Sequence, residues 1–198
     1  MRKGRCRYRL PALLCLAALL AGCRPAISGG ANPSQSGDWR LLTSAGGGMT
    51  VSYPQTWRLL SNNDDRLDFD AGKGATVRAQ LQPSPGQVQE PQAQVLEDMA
   101  QAAQQAAATA GLSVQVQGRQ AWVAGGLVWH ELDYVVKPAA SGGSGNARFC
   151  IDLLAFPQPD VSLSIHYERR GASPPDDASL QDLMQFAKAI QTGPKQSS

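Results

Sequence analysis

Leu127-Val128-Trp129-His130-Glu131-Leu132-Asp133-Tyr134-Val135-Val136-Lys137 decides the fold of this 198-residue chain. Its residues alternate with period two, the pattern of a strand whose successive side chains point to opposite faces. Ala147 to Phe156 alternates in the same way, and the intervening PAASGGSGN (138–146) supplies the Gly/Ser loop of a hairpin. Val161 to Tyr167 follows after Pro157-Gln158-Pro159-Asp160. The second half of the chain is therefore expected to be antiparallel sheet.

Upstream, Met49-Thr50-Val51-Ser52-Tyr53 alternates up to Pro54, and Trp57 to Leu60 resumes after a two-residue break. Leu67–Phe69 and Thr76–Leu81 are short strand candidates separated by Ala71-Gly72-Lys73-Gly74. Pro83 to Pro91 carries three prolines and reads as a loop. Gln92 to Ala110 is a helix: Val95, Met99, Ala102 and Ala106, with Leu96, Ala100, Ala103 and Ala107, form one apolar stripe ending at Gly111. Its many alanines predict close packing on a sheet. Ser179-Leu180-Gln181-Asp182 reads as the cap of a last helix, whose apolar face is Leu180, Leu183, Met184, Ala187 and Ile190. The predicted class is α+β, a central antiparallel sheet covered by a mid-chain helix and a C-terminal helix.

That order resembles the PsbP/DcrB-like fold, through an early strand ending Tyr53-Pro54-x-x-Trp57, a mid-chain helix, a long sheet and a closing helix. The resemblance implies a non-enzymatic class that includes accessory subunits, secretion chaperones and bacterial lipoproteins. It carries no family active site onto these residues.

Leu20-Ala21-Gly22-Cys23 follows a basic start (Arg2, Lys3, Arg5, Arg7, Arg9) and the apolar run Leu10 to Leu19. The run is too short for a membrane span and reads as a secretory signal. The motif resembles the lipobox of bacterial lipoproteins. The resemblance implies cleavage after Gly22 and acylation of Cys23, where each buried methylene contributes about 0.8 kcal/mol to anchoring. Residues 1–22 are then signal, 23–38 a Gly/Ser/Pro-rich tether, 39–191 one domain and 192–198 a disordered tail. With Arg24 rather than Asp after the lipidated Cys23, the resemblance favours the outer membrane, facing the periplasm.

Removal of the signal takes five basic residues and no acids. Thirteen basic residues then face sixteen acids, a charge of −3. Such a domain has no long-range attraction for nucleic acid or anionic headgroups. Cys6 and Cys15 leave with the signal and Cys23 is lipidated, so Cys150 stands alone and no intramolecular disulfide forms. The remaining chain is long enough to be held by an ordinary hydrophobic core.

Few residues carry chemistry. If the apolar strand faces all point to one core, His130 lies on the apolar side with Val128, Leu132, Tyr134 and Val136. His166 then lies on the polar side with Ser162, Ser164 and Glu168. The two histidines would sit on opposite sheet faces, which argues against a zinc site needing both, with their nitrogens about 3–4 Å apart. His130 reads as a core histidine bonded to a neighbour.

Arg148, Cys150 and Asp152 share a strand face. Antiparallel pairing with Val161–Tyr167 sets either Cys150 or Asp152 opposite His166. A Cys150/His166/Asp152 arrangement could generate a thiolate nucleophile. No nucleophile turn or thiol-enzyme signature surrounds Phe149-Cys150-Ile151, and a buried structural cysteine is the plainer reading.

Ser61 to Asp70 (SNNDDRLDFD) concentrates acids but lacks the Glu of an EF-hand, and reads as a polar turn. Glu131 and Asp133 share a strand face with Trp129; the expectation is a solvated face rather than a glycosidase pair. Trp39, Trp57 and Trp122 read as core or rim packing.

Together these features predict a monomeric, lipid-anchored envelope protein without metal, cofactor or catalytic residues. It would serve as a binding or accessory/assembly module, docking an envelope protein through a sheet edge or the 138–146 hairpin. The alternatives are an immunity lipoprotein that neutralises a secreted toxin in the periplasm, and a thiol enzyme using Cys150 and His166.

Overall fold

A computed structural model describes residues 35–36, 39–84, 91–139 and 147–193. The signal, Cys23, most of the tether, residues 140–146 of the hairpin loop and the last five residues lie outside the described residues. The strands are β1 Gln35–Ser36, β2 Trp39–Thr43, β3 Met49–Pro54, β4 Arg58–Asn62, β5 Arg66–Gly72 and β6 Ala75–Pro83. Helix α1 spans Gln92–Thr109. Then come β7 Leu112–Ala124, β8 Leu127–Pro138, β9 Arg148–Gln158, β10 Val161–Arg170, helix α2 Asp177–Ala189 and β11 Gln191–Thr192.

Seven strands form one sheet in the order β4-β5-β6-β10-β9-β8-β7, and a smaller sheet runs β1-β2-β3-β11. Neighbouring strands pair antiparallel throughout. The predicted α+β class is the observed one, with the two helices on opposite faces of the large sheet.

One face of that sheet packs on the small sheet and α2. Leu67, Phe69, Val77, Ile151, Leu153, Leu163, Ile165 and Tyr167 interdigitate there with Met49, Val51, Tyr53, Leu183 and Phe186. Four rings form its centre: Phe69 lies 4.9 Å from Tyr53, 5.9 Å from Trp57 and 5.6 Å from Phe186. The other face carries α1 over β7 and β8. Ala100 packs there with Leu132, Tyr134, Val136 and Cys150. An alanine-rich helix can approach a sheet this closely because methyl groups hold it no further off.

Strand β7 adds to the expected order. Leu112, Val114 and Val116 alternate with Ser113 and Gln115, and the three apolar side chains pack beneath α1. Its hairpin to β8 turns on Gly125 and Gly126 at φ 59° and 78°, the two left-handed residues of a type I′ turn. A Cβ on Gly125 would lie 2.8 Å from the Lys188 carbonyl, so this turn abuts the end of α2.

The cap of α2 is Asp176 rather than Ser179. Its carboxylate accepts the Ser179 backbone N–H at 2.8 Å and Lys73 Nζ at 2.7 Å. Lys73 Nζ and the Ser179 N–H hold the Asp176 carboxyl well below the usual carboxylate range. The domain also runs past Gln191, since Gln191 and Thr192 pair with Thr50 and Met49.

Two expectations about faces are corrected. Both faces of β8 are covered, so Glu131 is 3% exposed instead of solvated. It accepts Gln120 Nε2 at 2.8 Å and Trp122 Nε1 at 2.7 Å. Asp133 lies on the same face, beside Gly118, where a Cβ would come within 3.0 Å of its Oδ2. The second correction is that His130 and His166 lie on one face, because Leu132, two residues after His130, is paired to Asp152 and Asp152 to His166. Apolar residues under α1 and polar residues beyond it share that face, so polarity does not report which side a side chain takes.

Asp133 carries a stability prediction. Burial first, and then the charge of Glu131, raise its pKa to about 6. Its Oδ1 is buried without a partner among the described residues. A carboxyl raised in the folded state holds its proton more tightly there than when unfolded. Its favourable contribution is full below about pH 4 and is lost as pH rises through about 6. Asp133→Asn should therefore be more stable than the parent at pH 7.5 by about 1–2 kcal/mol and equal to it near pH 3.5. Urea unfolding at both pH values checks this; a less stable variant at pH 7.5 would mean that the carboxylate has a stabilising partner.

Candidate functional site

Beyond the edge of α1, the large sheet presents a row of charged side chains on four neighbouring strands, β5, β6, β10 and β9, flanked by Ser61 on β4 and Leu132 on β8. Cross-strand pairing runs Ser61, Asp68, Arg78, His166, Asp152, Leu132 on β4, β5, β6, β10, β9 and β8. Directly paired residues share a face. All six therefore project to the α1 side.

The row carries two bonded clusters, one around Asp68 and one around Asp152 and His166. Asp68 Oδ1 accepts Arg78 Nε at 2.7 Å, while its Oδ2 accepts Arg66 Nε at 2.8 Å and Ser61 Oγ at 3.0 Å. Burial alone would raise the Asp68 pKa, but the two guanidinium groups outweigh it and lower it. Further along, Asp152 Oδ1 lies 2.6 Å from His166 Nδ1, and its Oδ2 accepts the Tyr134 hydroxyl at 2.9 Å. Burial works against a charged His166, yet Asp152 and Glu168 prevail and raise its pKa to about 10. On the next rung Glu168 opposes Cys150, which opposes Tyr134. Arg148 Nη1 lies 3.3 Å from both Glu168 oxygens.

Of the two registers the sequence allows, the structure adopts the one with Asp152 opposite His166. Cys150 sits diagonal to the imidazole: one donor atom from each of Cys150, His166 and Glu168 lies within 4.8 Å of the others. The three residues of the expected thiol arrangement are thus brought together, with Glu168, Arg148 and Tyr134 added to them.

The thiol is poorly placed for nucleophilic work. Cys150 is 2% exposed beneath α1. Burial, followed by the charges of Asp152 and Glu168, pushes it far above its ordinary value, so it is a neutral thiol at pH 7. We expect no carboxamidomethylation of Cys150 by iodoacetamide in the native protein at neutral pH and full reaction in urea. Peptide mass spectrometry reads both, and stoichiometric labelling of the folded chain would restore the nucleophile.

The remaining candidates disperse. His130 is buried, with Nδ1 3.3 Å from the Leu154 carbonyl, and desolvation lowers its pKa. Two of the four aspartates of 61–70 are spent on arginines: Asp70 pairs with Arg58 at 2.9 Å, and Asp68 serves Arg66 and Arg78. Trp57 is core, and Trp122 stacks on Trp129 at 5.8 Å. A shallow dent lined by Trp57, Ala71, Ala75, Tyr167, Ser179 and Asp182 lies at the N-terminal end of α2. Among the described residues no helix is long and apolar enough to cross a membrane.

Glu168, Arg148 and Tyr134 were legible as strand-face neighbours of His166, Cys150 and Leu132, though not as members of a site. Arg66, Asp68 and Arg78 had no such signal. They join the row only through pairing of β6 with β10, strands about eighty residues apart in sequence, as the Ser164–Gln80 bond illustrates.

No protein-family model matches the chain, and no curated protein does. Solved structures do match in shape. A Bacteroides thetaiotaomicron protein superposes with a TM-score of 0.54 at 8% identity, covering 81% of this chain and 50% of its own. The chain thus spans half the length of that protein. Cyanobacterial PsbP from Synechocystis gives 0.55 at 12% identity, over 81% of this chain and 98% of its own. The Saccharomyces cerevisiae Ran-binding protein Mog1p gives 0.52 at 10% identity, over 82% and 96%. At such identities the likeness is one of fold. The large antiparallel sheet between two helices is the α+β, PsbP-like fold expected from the order of elements.

Proposed function

We propose that this chain is a lipid-anchored cell-envelope protein that works by binding a protein partner, as an accessory or assembly module, and not by catalysis. The observation that carries the reading is the state of its reactive groups. Asp68 and Arg78 are committed to each other in one bonded cluster, and His166, Asp152, Glu168 and Arg148 in a second beside it, and the thiol is sealed. A row of this kind gives a rigid charged surface suited to recognition, since its side chains lose little freedom on docking. The PsbP-like fold is compatible with such a role, because a fold alone dictates no chemistry.

The anchor is read from Leu20-Ala21-Gly22-Cys23, and the outer membrane, periplasmic side, from Arg24. An acidic mature domain has little affinity of its own for anionic lipid, so the acyl chains would supply the attachment.

The test is crosslinking of the full-length protein in intact envelopes, followed by affinity capture and mass spectrometry, with Cys23→Ser alongside. The expected result is one abundant protein partner, with palmitate incorporation lost in the variant. A captured toxin would make the protein an immunity factor. No enriched protein across several crosslinkers would sink the binding reading, and palmitate retained in the Cys23→Ser variant would sink the anchor.

A further inference from the structure

We propose that Cys150, His166 and Glu168 form a binding site for a divalent metal ion of the zinc class, with Asp152 holding the imidazole from behind. Their donors, one sulfur, one nitrogen and one oxygen, form the mixed set that borderline-soft Zn²⁺ accepts. The three donor atoms already lie within 4.8 Å of one another. Around tetrahedral zinc, donors stand roughly 3.3–3.7 Å apart, so side-chain shifts of about 1 Å complete the site.

The imidazole is oriented for it. Asp152 Oδ1, 2.6 Å from Nδ1, fixes that nitrogen as the protonated one. Nε2 is left as the ligating atom, 3.8 Å from Glu168 Oε2. A carboxylate behind a histidine is the usual outer partner of a histidine that binds metal. Here that carboxylate is itself held by the Tyr134 hydroxyl.

Charge also balances. With Cys150 as thiolate, Asp152 and Glu168 as carboxylates and Arg148 as the cation, a divalent ion brings the cluster to neutrality. Binding breaks the S–H bond of Cys150 and removes the Nε2 proton of His166, and both protons pass to solvent. Arg148 shares Glu168 in the metal-free protein and becomes its outer partner once the ion is bound.

His166 and Glu168 are about a quarter exposed, so the ion can enter from the open face while the sulfur stays beneath α1. Three protein ligands leave a fourth position for water or an anion. Metal binding at this place does not depend on which protein the domain docks.

Titration of the full-length chain in detergent micelles with Co²⁺, under reducing conditions, tests this. The expected spectrum has intense tetrahedral d–d bands and a near-ultraviolet thiolate-to-cobalt band. Both should saturate at one equivalent and bleach on addition of Zn²⁺. Cys150→Ser should abolish the thiolate band, and Glu168→Gln should weaken binding by about tenfold or more. Asp152→Asn should weaken binding by about 10–100-fold and leave the thiolate band in place, because Asp152 acts through His166.

A weak octahedral spectrum would overturn the site. So would a thiolate band that survives in Cys150→Ser. Should the variants misfold, zinc-edge X-ray absorption of the unaltered protein decides the matter: one sulfur among the ligands is expected, and a shell of oxygen and nitrogen alone refutes it.

Discussion

Phe69→Ala is expected to lower the unfolding free energy by about 3–5 kcal/mol. Phe69 is fully buried and touches Tyr53 of the small sheet, Trp57 and Phe186 of α2. It is therefore the ring through which three layers meet: the large sheet, the small sheet and the second helix. Truncation forfeits the transfer energy of the ring, the tilted and edge-on aromatic contacts, and the packing of a cavity that rigid neighbours cannot fill. Urea denaturation should show a lower midpoint at unchanged slope, with α1 and the β7–β8 hairpin retained below the transition. A loss under about 1 kcal/mol would mean that α2 is not seated on this cluster.

Asp68→Asn should cost about 2–3 kcal/mol at pH 7, between the values for exposed and fully buried ion pairs. The carboxylate is 14% exposed and receives two guanidinium groups and a hydroxyl. Asparagine keeps one acceptor oxygen, turns an amide N–H₂ toward an arginine, and leaves Arg66 and Arg78 with uncompensated charge on a partly desolvated face. Because the folded-state pKa of Asp68 is lowered, the native advantage is present above the ordinary carboxylate pKa of about 3.9. It is lost as pH falls through the lowered value. The gap between parent and variant should thus hold from pH 7 down to about pH 4 and close below that. Denaturation curves at several pH values read it directly; a gap below about 0.5 kcal/mol at pH 7, or one that persists at the lowest pH, would show that the row is not held by this carboxylate.

The period-two runs of 127–137, 147–156 and 161–167 became β8, β9 and β10, and the alanine stripe of 92–110 became α1. These patterns are legible because each strand or helix must bury one face, whatever covers it. The cap of α2 is Asp176 rather than Ser179, because the helix begins at Asp177 and the Asp176 carboxylate accepts the Ser179 N–H.

The misassigned faces share one cause. Reading His130 as opposite to His166 assumed that all apolar strand faces meet in one core. The large sheet has a core on each side, one beneath α1 and one beneath the small sheet with α2. A strand covered on both faces, as β8 is, alternates between two apolar environments, so Glu131 becomes a buried acid and Asp133 a half-buried one.

By itself, then, the sequence determined both helices, most of the long strands, the α+β class, and the lipobox on which the proposed location rests. All of these follow from interactions within about ten residues of chain. Only the tertiary structure decided which strands are neighbours. It placed β10 between β6 and β9, and so brought Arg78 beside His166, Asp152 opposite it, and Cys150 and Glu168 within reach of one ion. Side-chain parity is a local property of a strand, whereas register and cover are settled by partners far away in the chain. The candidate site was beyond local reading because it is made almost wholly of register.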